Sequence, residues 1–333
     1  MVKRIVSGVQ PSGGLTIGNY LGAIKNFVKL QSEFKEAEFF FFVADLHSIT
    51  VPQERLTLRK NIKEVAALYI ACGLDPEKVN IFIQSEVPAH NQLGYIMEST
   101  AYIGEMERMT QFKDKRQRQV EGIKTSLLTY PALMAADILL YDADLVPIGD
   151  DQRQHLELTR LLGERFNNQY GNTFVIPKPY YNETVLRIKS LADPLKKMSK
   201  SDDNERAFIL LLDEPNRIKN KINSAVTDSD TKIRYDEEEK PGISNLLSIY
   251  SEFSGLSIKE LEKKYQDKTY KDFKTDLGEL IVEHLIPIQE RYREIIKSKY
   301  LDEVLDKGRN RAIVISNRKI ERVYHRVGLG RKK

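Results

Sequence analysis

The sequence contains no tryptophan and only one cysteine, Cys72, among its 333 residues. A single cysteine excludes an intramolecular disulfide, a cysteine-based structural zinc site and a CxxC redox pair. No uninterrupted apolar run reaches the roughly 18 residues of a membrane-spanning helix, and the first residues are too short for the apolar region of a signal peptide. From these absences we expect a soluble, cytoplasmic protein without a membrane partner.

The charge of the chain is unevenly distributed. The net charge is +4, but the segment Lys307–Lys333 contains ten Lys or Arg residues and one acid, Glu321, which gives +9 there and leaves −5 for residues 1–306. A basic block on a helix is either a solvated face or a surface that contacts nucleic-acid phosphates. Charge alone leaves both interpretations open.

Short apolar runs alternate with helical patterns in the first half of the chain. The length favours two domains, each able to bury a core. Strands are predicted at Ile5–Val9, Glu38–Ala44, Val79–Gln84 and Asp144–Ile148. Such alternation is typical of a parallel sheet covered by helices. We therefore predict an α/β domain over residues 1–200, with a helical insertion at about 91–142, followed by an all-helical domain over 201–333.

Helices are predicted around the strands and throughout the second half. In the first half they cover about 21–30, 53–72 and 152–167, and in the second about 213–224, 258–266, 272–300 and 301–327.

A glycine-rich loop, Gln10–Tyr20, separates the first predicted strand from the first predicted helix. Its glycines Gly13, Gly14 and Gly18 allow close approach of a ligand to the backbone, and a helix N-terminus offers N–H groups to phosphates. The spacing matches neither a GxxxxGK[ST] nor a GxGxxG motif. From spacing alone, a nucleotide-binding loop and an ordinary tight turn both remain open.

A second candidate segment is the lysine-rich loop Lys196–Ser201. Lys197 and Lys200, with Ser199 between them, are suited to neutralising a polyphosphate as charge develops on a leaving group. As an isolated charge run, the segment would be a solvated loop. The pairing with the glycine-rich loop favours the phosphate-binding interpretation.

Together the two loops resemble the paired signatures of class I aminoacyl-tRNA synthetases. Residues Pro11–Asn19 follow the first strand, and Lys197–Ser201 reads KMSKS. Thr16 and Asn19 stand at the first and last positions of the HIGH signature, a departure that is itself the pattern of the tryptophanyl branch. The resemblance to that branch extends along the chain, through the segments 43–50, 103–113, 128–131, 134–137 and 149–152 and through His155.

The resemblance implies an ATP site in a Rossmann-like catalytic domain. The residues expected to contact ATP are Gln10, Pro11, Ser12, Gly18, Asn19, Lys115, Gly149, Asp150, Asp151, Ile188, Lys197, Met198, Ser199, Lys200 and Ser201. The expected catalytic residues are Gln10, Thr16, Lys197 and Lys200. Magnesium is expected to arrive with ATP, and no protein-bound metal is expected.

The resemblance also implies a tryptophan site. Asp137 is expected to accept the indole N–H, and the other expected contacts are Tyr130 and Gln152 for the ammonium group, His47 and Gln111 near the carboxylate, and Val6 and Met134 along the ring. A buried carboxylate suits an indole, which has a donor and no acceptor. Without the resemblance, Asp137 would be interpreted as a helix residue paired with a nearby cation. Some relatives have an aromatic residue in place of Val6.

Three further histidines lie far apart in the sequence. His90, His284 and His325 show no metal-ligand spacing and are interpreted as ordinary core or surface residues. The expected partners are L-tryptophan, ATP, tRNA(Trp) and a second copy of the chain that docks through the helical insertion. The helical domain is expected to read the anticodon, and Arg318, Lys319 and Arg322 to contact tRNA.

Three alternative functions remain. A tyrosyl-tRNA synthetase would share the fold, and a phenol would also donate to Asp137. The other two are an adenylyltransferase that acts without tRNA and a tRNA-binding regulatory protein without catalytic activity.

Overall fold

The structure is a computed structural model that describes residues 2–116, 122–149, 152–181, 188–200, 202–230 and 232–331, without the side chains of 114–116. The chain forms two compact units. The first, here called the sheet unit, comprises Met1–Ser12, Lys29–Glu183 and Ser298–Lys333; the second, the helical unit, comprises Gly13–Val28 and Thr184–Lys297. The expected boundary between functional domains at residue 200 stays a prediction.

The strands and helices follow one another in α/β order. In chain order they are β1 (Arg4–Val9), α1 (Ile17–Asn19), a π-helical turn (Tyr20–Ile24), α2 (Lys25–Glu33), β2 (Glu38–Val43), α3 (Asp45–Ser48), α4 (Arg55–Ala71), β3 (Val79–Ile83), a 3₁₀ turn (Gln84–Glu86), α5 (Ala89–Thr100), α6 (Ile103–Glu107), α7 (Thr110–Arg116), α8 (Thr125–Leu139), β4 (Leu145–Pro147), α9 (Arg153–Tyr170), β5 (Lys178–Tyr180), a 3₁₀ turn (Glu205–Ala207), α10 (Pro215–Asn223), α11 (Pro241–Ser254), α12 (Ile258–Lys264), α13 (Tyr270–Lys297) and α14 (Tyr300–Val327). Within the described part of the chain, no helix has both the length and the apolar character required to cross a bilayer.

The sheet unit contains a five-stranded parallel sheet in the order β3-β2-β1-β4-β5. Phe39–Val43 of β2 are all buried, as expected for a central strand covered by helices on both faces. The register pairs Ile5 with Phe39 and Phe39 with Val79. The predicted α/β fold with a parallel sheet is confirmed. β5 was not predicted, because three residues around Pro179 carry no apolar run.

Helix α8 positions the central side chain of the candidate site. Its sequence is apolar on nearly every face, and it packs against α5 and α9 in the main core of the sheet unit. Tyr130, Met134 and Asp137 recur at intervals of four and three residues, so they lie on one face of the helix. A carboxylate is thereby placed within an apolar core.

Helix α14 belongs to the sheet unit and packs against β3. Lys319 is buried: its Nζ lies 2.5 Å from Asp142 Oδ1 and donates to the carbonyl of Thr173 at 2.8 Å. Burial lowers the pKa of Lys319, against the opposing effect of the Asp142 charge. Arg322 donates to the carbonyl of Asn172 at 2.6 Å.

The expectation that Lys319 belongs to a tRNA-contacting surface is therefore wrong. Helical periodicity places Lys319 on the inner face with Ala312, Ile315 and Val323, which are also buried. Arg318, one residue earlier, is exposed. Whether Arg318 and Arg322 contact tRNA stays a prediction.

The helical unit contains α10 to α13. The helices predicted at about 213–224, 258–266 and 272–300 are present as α10, α12 and α13. Helix α11 was not predicted, although its ends carry recognisable signals. Pro241 occupies the first turn, and Gly255 ends the helix in the left-handed conformation at φ 75°.

Candidate functional site

The centre of the candidate site in the sheet unit is the carboxylate of Asp137, which is 2% exposed. His47 Nε2 lies 2.8 Å from Oδ2, and His90 Nδ1 lies 2.7 Å from Oδ1. Gln84 Nε2 donates to both oxygens, at 2.7 Å to Oδ1 and 2.8 Å to Oδ2. An ionised carboxylate has about four lone-pair sites. Three protein donor groups thus make four contacts with the carboxylate, two on each oxygen.

Asp137 is ionised despite its burial. Burial by itself raises the pKa of a carboxyl group, but the hydrogen bonds and the electrostatic interaction with His47 and His90 outweigh it and lower the pKa of Asp137 to about 2. Burial, and to a lesser extent the charge of Asp137, raises the pKa of Tyr141 well above its ordinary value. The site thus presents a negative acceptor held by buried polar side chains inside the sheet unit.

Sequence reasoning missed two of the groups that hold Asp137. His90 is fully buried, and its Nε2 lies 2.8 Å from the hydroxyl of Tyr141. Its interpretation as an ordinary core residue is therefore incomplete, because it holds the candidate acceptor. Gln84 is also fully buried and directly follows β3. Side chains at the carboxyl ends of parallel strands commonly line ligand sites, and this position was the available signal.

A second group of polar side chains surrounds Tyr130. Its hydroxyl donates to Gln111 Oε1 at 3.2 Å and lies 2.8 Å from His155 Nε2. Its ring meets that of His47 edge-on, with 6.2 Å between centroids. Burial raises the pKa of Tyr130, so it remains a neutral hydroxyl. Tyr130 thus contacts both Gln111 and His47, and His47 in turn contacts Asp137.

The remaining predicted residues of the sheet unit are distributed around this core. Val6 is buried on β1 in the same apolar cluster, against which Met134 packs. Gln152 precedes α9, and its backbone N–H donates to the carbonyl of Gly149 at 3.0 Å. Gln10, Pro11 and Ser12 follow the carboxyl end of β1. Asp150 and Asp151 lie outside the described residues.

The two signature loops meet in the helical unit. Gly13 has φ +117°, and a Cβ atom placed on it would collide with Lys200 Nζ. A Cβ atom on Gly18 would lie 3.7 Å from Cβ of both Ile188 and Met198. These contacts join residues about 180 positions apart. The glycine-rich loop and the KMSKS segment therefore lie against each other in the fold.

Local hydrogen bonds define the glycine-rich loop. Thr16 caps α1 by accepting from the N–H of Asn19 at 3.2 Å, while Asn19 Oδ1 accepts from the N–H of Thr16 at 3.0 Å. The helix continues through the π-helical turn, a feature often found at functional sites. Thr16 also pairs with Leu210 in an antiparallel bridge. Thr16 and Asn19 thus stabilise each other's position through reciprocal hydrogen bonds.

The lysine-rich loop runs antiparallel to residues 188–190. Met198 donates its N–H to the carbonyl of Ile188 at 3.0 Å, and Lys189 pairs with Lys197. Lys197 and Ser199 are exposed, whereas Ile188 and Met198 are buried. The pairing presents the lysines on a backbone anchored by apolar side chains. Ser201 lies outside the described residues, and so does the side chain of Lys115.

The described residues contain no group of three or more His, Cys, Asp and Glu side chains arranged to hold a metal ion. His284 and His325 are both exposed.

Comparison with known proteins places these features in one family. The sequence profile of the tRNA synthetases class I (W and Y) matches residues 2–285. A tryptophan–tRNA ligase of Bacillus subtilis (strain 168) is 56% identical over 333 residues, which is 100% of both chains.

Two solved structures are also similar. The tryptophanyl-tRNA synthetase of Mycoplasma pneumoniae is 38% identical, with a TM-score of 0.91 over 99% of each chain. That of Campylobacter jejuni, complexed with ADP and tryptophan, is 35% identical, with a TM-score of 0.81 over 98% of this chain and 100% of that one. The chain belongs to the class I tRNA synthetases of the tryptophan and tyrosine family.

Proposed function

We propose that this chain activates L-tryptophan with ATP and transfers it to tRNA(Trp). The observation that carries the proposal is the buried carboxylate of Asp137, a hydrogen-bond acceptor that His47, His90 and Gln84 hold within the core of the sheet unit. An indole ring provides one N–H donor and an otherwise apolar surface. The full-length similarity to tryptophan–tRNA ligases supports the same substrate.

The surroundings of Asp137 favour indole over phenol. A phenol donates as an indole does, but its oxygen also has lone pairs that need a donor when buried. His47, His90 and Gln84 already direct their donor atoms at Asp137. A phenol oxygen left without a donor would cost about 1–3 kcal/mol. Tyrosine is therefore the weaker candidate substrate.

The polar group around Tyr130 is assigned to the α-amino and α-carboxylate ends of the amino acid. In this proposal, Tyr130 and Gln152 hold the ammonium group, and His47 and Gln111 lie near the carboxylate. Val6 and Met134 line the indole ring. The hydrogen bond from Tyr130 to Gln111 and the ring contact with His47 support a common role.

ATP is assigned to the two signature loops. In this proposal, Gln10, Ser12, Gly18 and Asn19 contact the nucleotide, Gly149–Asp151 hold the ribose, and Ile188 touches the adenine. Lys197 and Lys200 contact the phosphates, and Lys115 is a third lysine. Pro11, Met198, Ser199 and Ser201 complete the set. The proximity of Lys200 to Gly13 supports a phosphate position above the glycine backbone.

The reaction begins with attack of the tryptophan carboxylate oxygen on the α-phosphorus of ATP. A P–O bond forms to give tryptophanyl-adenylate, and the bond to the β-phosphate breaks to release pyrophosphate. Transfer of the acyl group to the tRNA terminal ribose then releases AMP. Such transfers depend on positioning and charge stabilisation, which suits a site built from glycines and lysines. Mg²⁺ enters as part of the ATP substrate.

We further propose a homodimer that works in the cytoplasm, where the tRNA substrate is found. Tyr95, Tyr102 and Ile103, on and beside α5 and α6, are 70%, 65% and 70% exposed. A concentration of exposed apolar side chains is typical of an interaction surface. This surface lies in the predicted helical insertion, and a second copy of the chain is its proposed occupant. The helical region after residue 200 is assigned to anticodon recognition.

A charging assay tests the proposed function. The purified chain is incubated with ATP, labelled tryptophan or tyrosine, and tRNA(Trp) or tRNA(Tyr), and acid-precipitable label is counted. We expect label only with tryptophan and tRNA(Trp). Charging with tyrosine would move the assignment to the tyrosyl enzymes. Adenylate formation without charging would indicate an adenylyltransferase, and neither reaction would indicate a regulatory protein.

A further inference from the structure

We infer that Gln84 is a positioning residue for amino-acid recognition: its side-chain amide, oriented by the backbone N–H of Leu46, holds the Asp137 carboxylate in place for the indole N–H. The inference rests on the proposed function, because it requires Asp137 to be the acceptor for the substrate. It adds a residue that the resemblance did not assign.

The amide nitrogen of Gln84 lies opposite both oxygens of Asp137, at 2.7 and 2.8 Å. A donor that contacts both oxygens opposes rotation of the carboxylate, whereas a donor on one oxygen allows it. The histidines each contact one oxygen. Gln84 is fully buried, so water has little access to replace its N–H group. Gln84 therefore makes the contact that most directly fixes the carboxylate plane.

The orientation of the Gln84 amide follows from its other contact. The N–H of Leu46 lies 3.1 Å from the side-chain oxygen of Gln84, and an N–H donor requires an oxygen acceptor. The amide nitrogen must then face Asp137. Leu46 N–H also lies 3.1 Å from Asp45 Oδ1, which accepts from Ser85 N–H at 2.9 Å. Asp45 thus ties α3 to the 3₁₀ turn that carries Gln84.

Replacing the amide of Gln84 by the carboxyl group of glutamate should make the contact with Asp137 depend on pH. In Gln84→Glu, one carboxylate oxygen still accepts from Leu46, while the other faces the oxygens of Asp137. Two carboxylates in contact hold one shared proton and resist full ionisation. The protonated acid donates an O–H to Asp137 much as the amide donates N–H. Loss of that proton places two negative charges together.

Titratable groups around position 84 come from several elements. They are Asp45 and His47 on α3, Glu86 on the same turn, His90 on α5, Asp137 on α8 with Tyr141 after it, and Asp302, Asp306 and Arg309 on α14, whose charges act on Glu86. All of them are retained in the two variants compared below. A pH effect confined to Gln84→Glu therefore arises from the carboxylate pair that the substitution creates.

The test measures tryptophan affinity for wild type, Gln84→Glu and Gln84→Met at about pH 5.5 and about pH 8.5, a range that brackets the titration of a carboxylate pair raised by mutual repulsion. Because the chain contains no tryptophan, ligand indole fluorescence reports binding directly. ATP affinity and thermal unfolding are measured in parallel. Gln31 provides matched controls: it is also a buried glutamine of the sheet unit, with its amide bonded to the backbone of Gly73 and Asp75.

We expect Gln84→Met to bind tryptophan about tenfold more weakly at both pH values, as for loss of one hydrogen bond to a charged group. Gln84→Glu should approach wild-type affinity at the lower pH and lose about tenfold or more at the higher pH. ATP affinity should change less than about twofold, and both Gln31→Met and Gln31→Glu should bind tryptophan as wild type does.

Wild-type affinity in Gln84→Met, a flat pH response in Gln84→Glu, or parallel loss of ATP binding would overturn the inference while leaving the proposed function standing. Failure of wild type itself to bind tryptophan would instead remove the proposed function and the inference with it.

Discussion

His90 Nδ1 lies 2.7 Å from Asp137 Oδ1, although the two residues are 47 positions apart in the chain. The contact joins α5 to α8 inside the core of the sheet unit. On its other side, His90 contacts Tyr141 at 2.8 Å. The histidine therefore holds the candidate acceptor from within the core, so the position of that acceptor depends on the packing of α5 against α8.

Replacing Asp137 by alanine should raise the KM for tryptophan far more than the KM for ATP. The substitution removes the only proposed acceptor for the indole N–H, and we expect the KM for tryptophan to rise by about 10–100-fold. The KM for ATP should change by less than about threefold. Steady-state pyrophosphate exchange measures both. Equal increases in the two KM values would contradict the indole role.

Replacing Gly13 by alanine should impair the nucleotide step. Alanine is strained at φ +117°, and its Cβ would displace Lys200 Nζ. We expect the KM for ATP to rise about tenfold and folding stability to fall by about 1–2 kcal/mol. Gly22→Ala is the matched control, since a Cβ there meets nothing within 4 Å. Similar kinetics for the two variants would argue against a phosphate position at Gly13.

Alanine variants of Lys319 and Arg318 should have different effects, because Lys319 is buried and Arg318 is exposed. Lys319→Ala removes the buried partner of Asp142 and should lower the free energy of unfolding by about 3 kcal/mol. Arg318→Ala, on the exposed face, should change it by less than about 0.5 kcal/mol. Only Arg318→Ala is expected to weaken tRNA binding without loss of stability. Denaturation curves and filter binding at moderate salt measure the two effects. A stable Lys319→Ala protein would contradict the account of α14.

Replacing Ile103 by lysine should dissociate the proposed homodimer. The side chain is 70% exposed and lies at the start of α6. A buried unpaired lysine is costly at an interface. Light scattering should report a dimer for wild type and a monomer for Ile103→Lys. Val314→Lys, at a 44% exposed position of α14, is the control and should remain dimeric. A monomeric wild type would contradict the assembly.

The fold could be predicted from sequence where periodicity is strong. The apolar run of β2 and the long helical patterns of α13 and α14 predicted the ends of these elements to within a few residues. Helix α11 was missed because Pro241 and Gly242 are typical of a turn as well as of a helix start. The burial of Lys319 was missed because net charge does not distinguish the inner face of a helix from the outer one.

The candidate site was predictable only in part. Asp137, Tyr130 and the two signature loops became candidates through the resemblance, since their spacing alone was compatible with ordinary turns and ion pairs. Gln84 and His90 carry no local motif. Their role depends on where β3 and α5 bring them relative to α8, and that is a property of tertiary packing.

The most direct test of the central claim is amino-acid-dependent exchange of pyrophosphate into ATP by the wild-type chain, measured with tryptophan and with tyrosine. We expect exchange with tryptophan, and exchange at least about tenfold slower with tyrosine because the phenol oxygen would lack a hydrogen-bond donor. Equal or faster exchange with tyrosine, or no exchange with either amino acid, would contradict it.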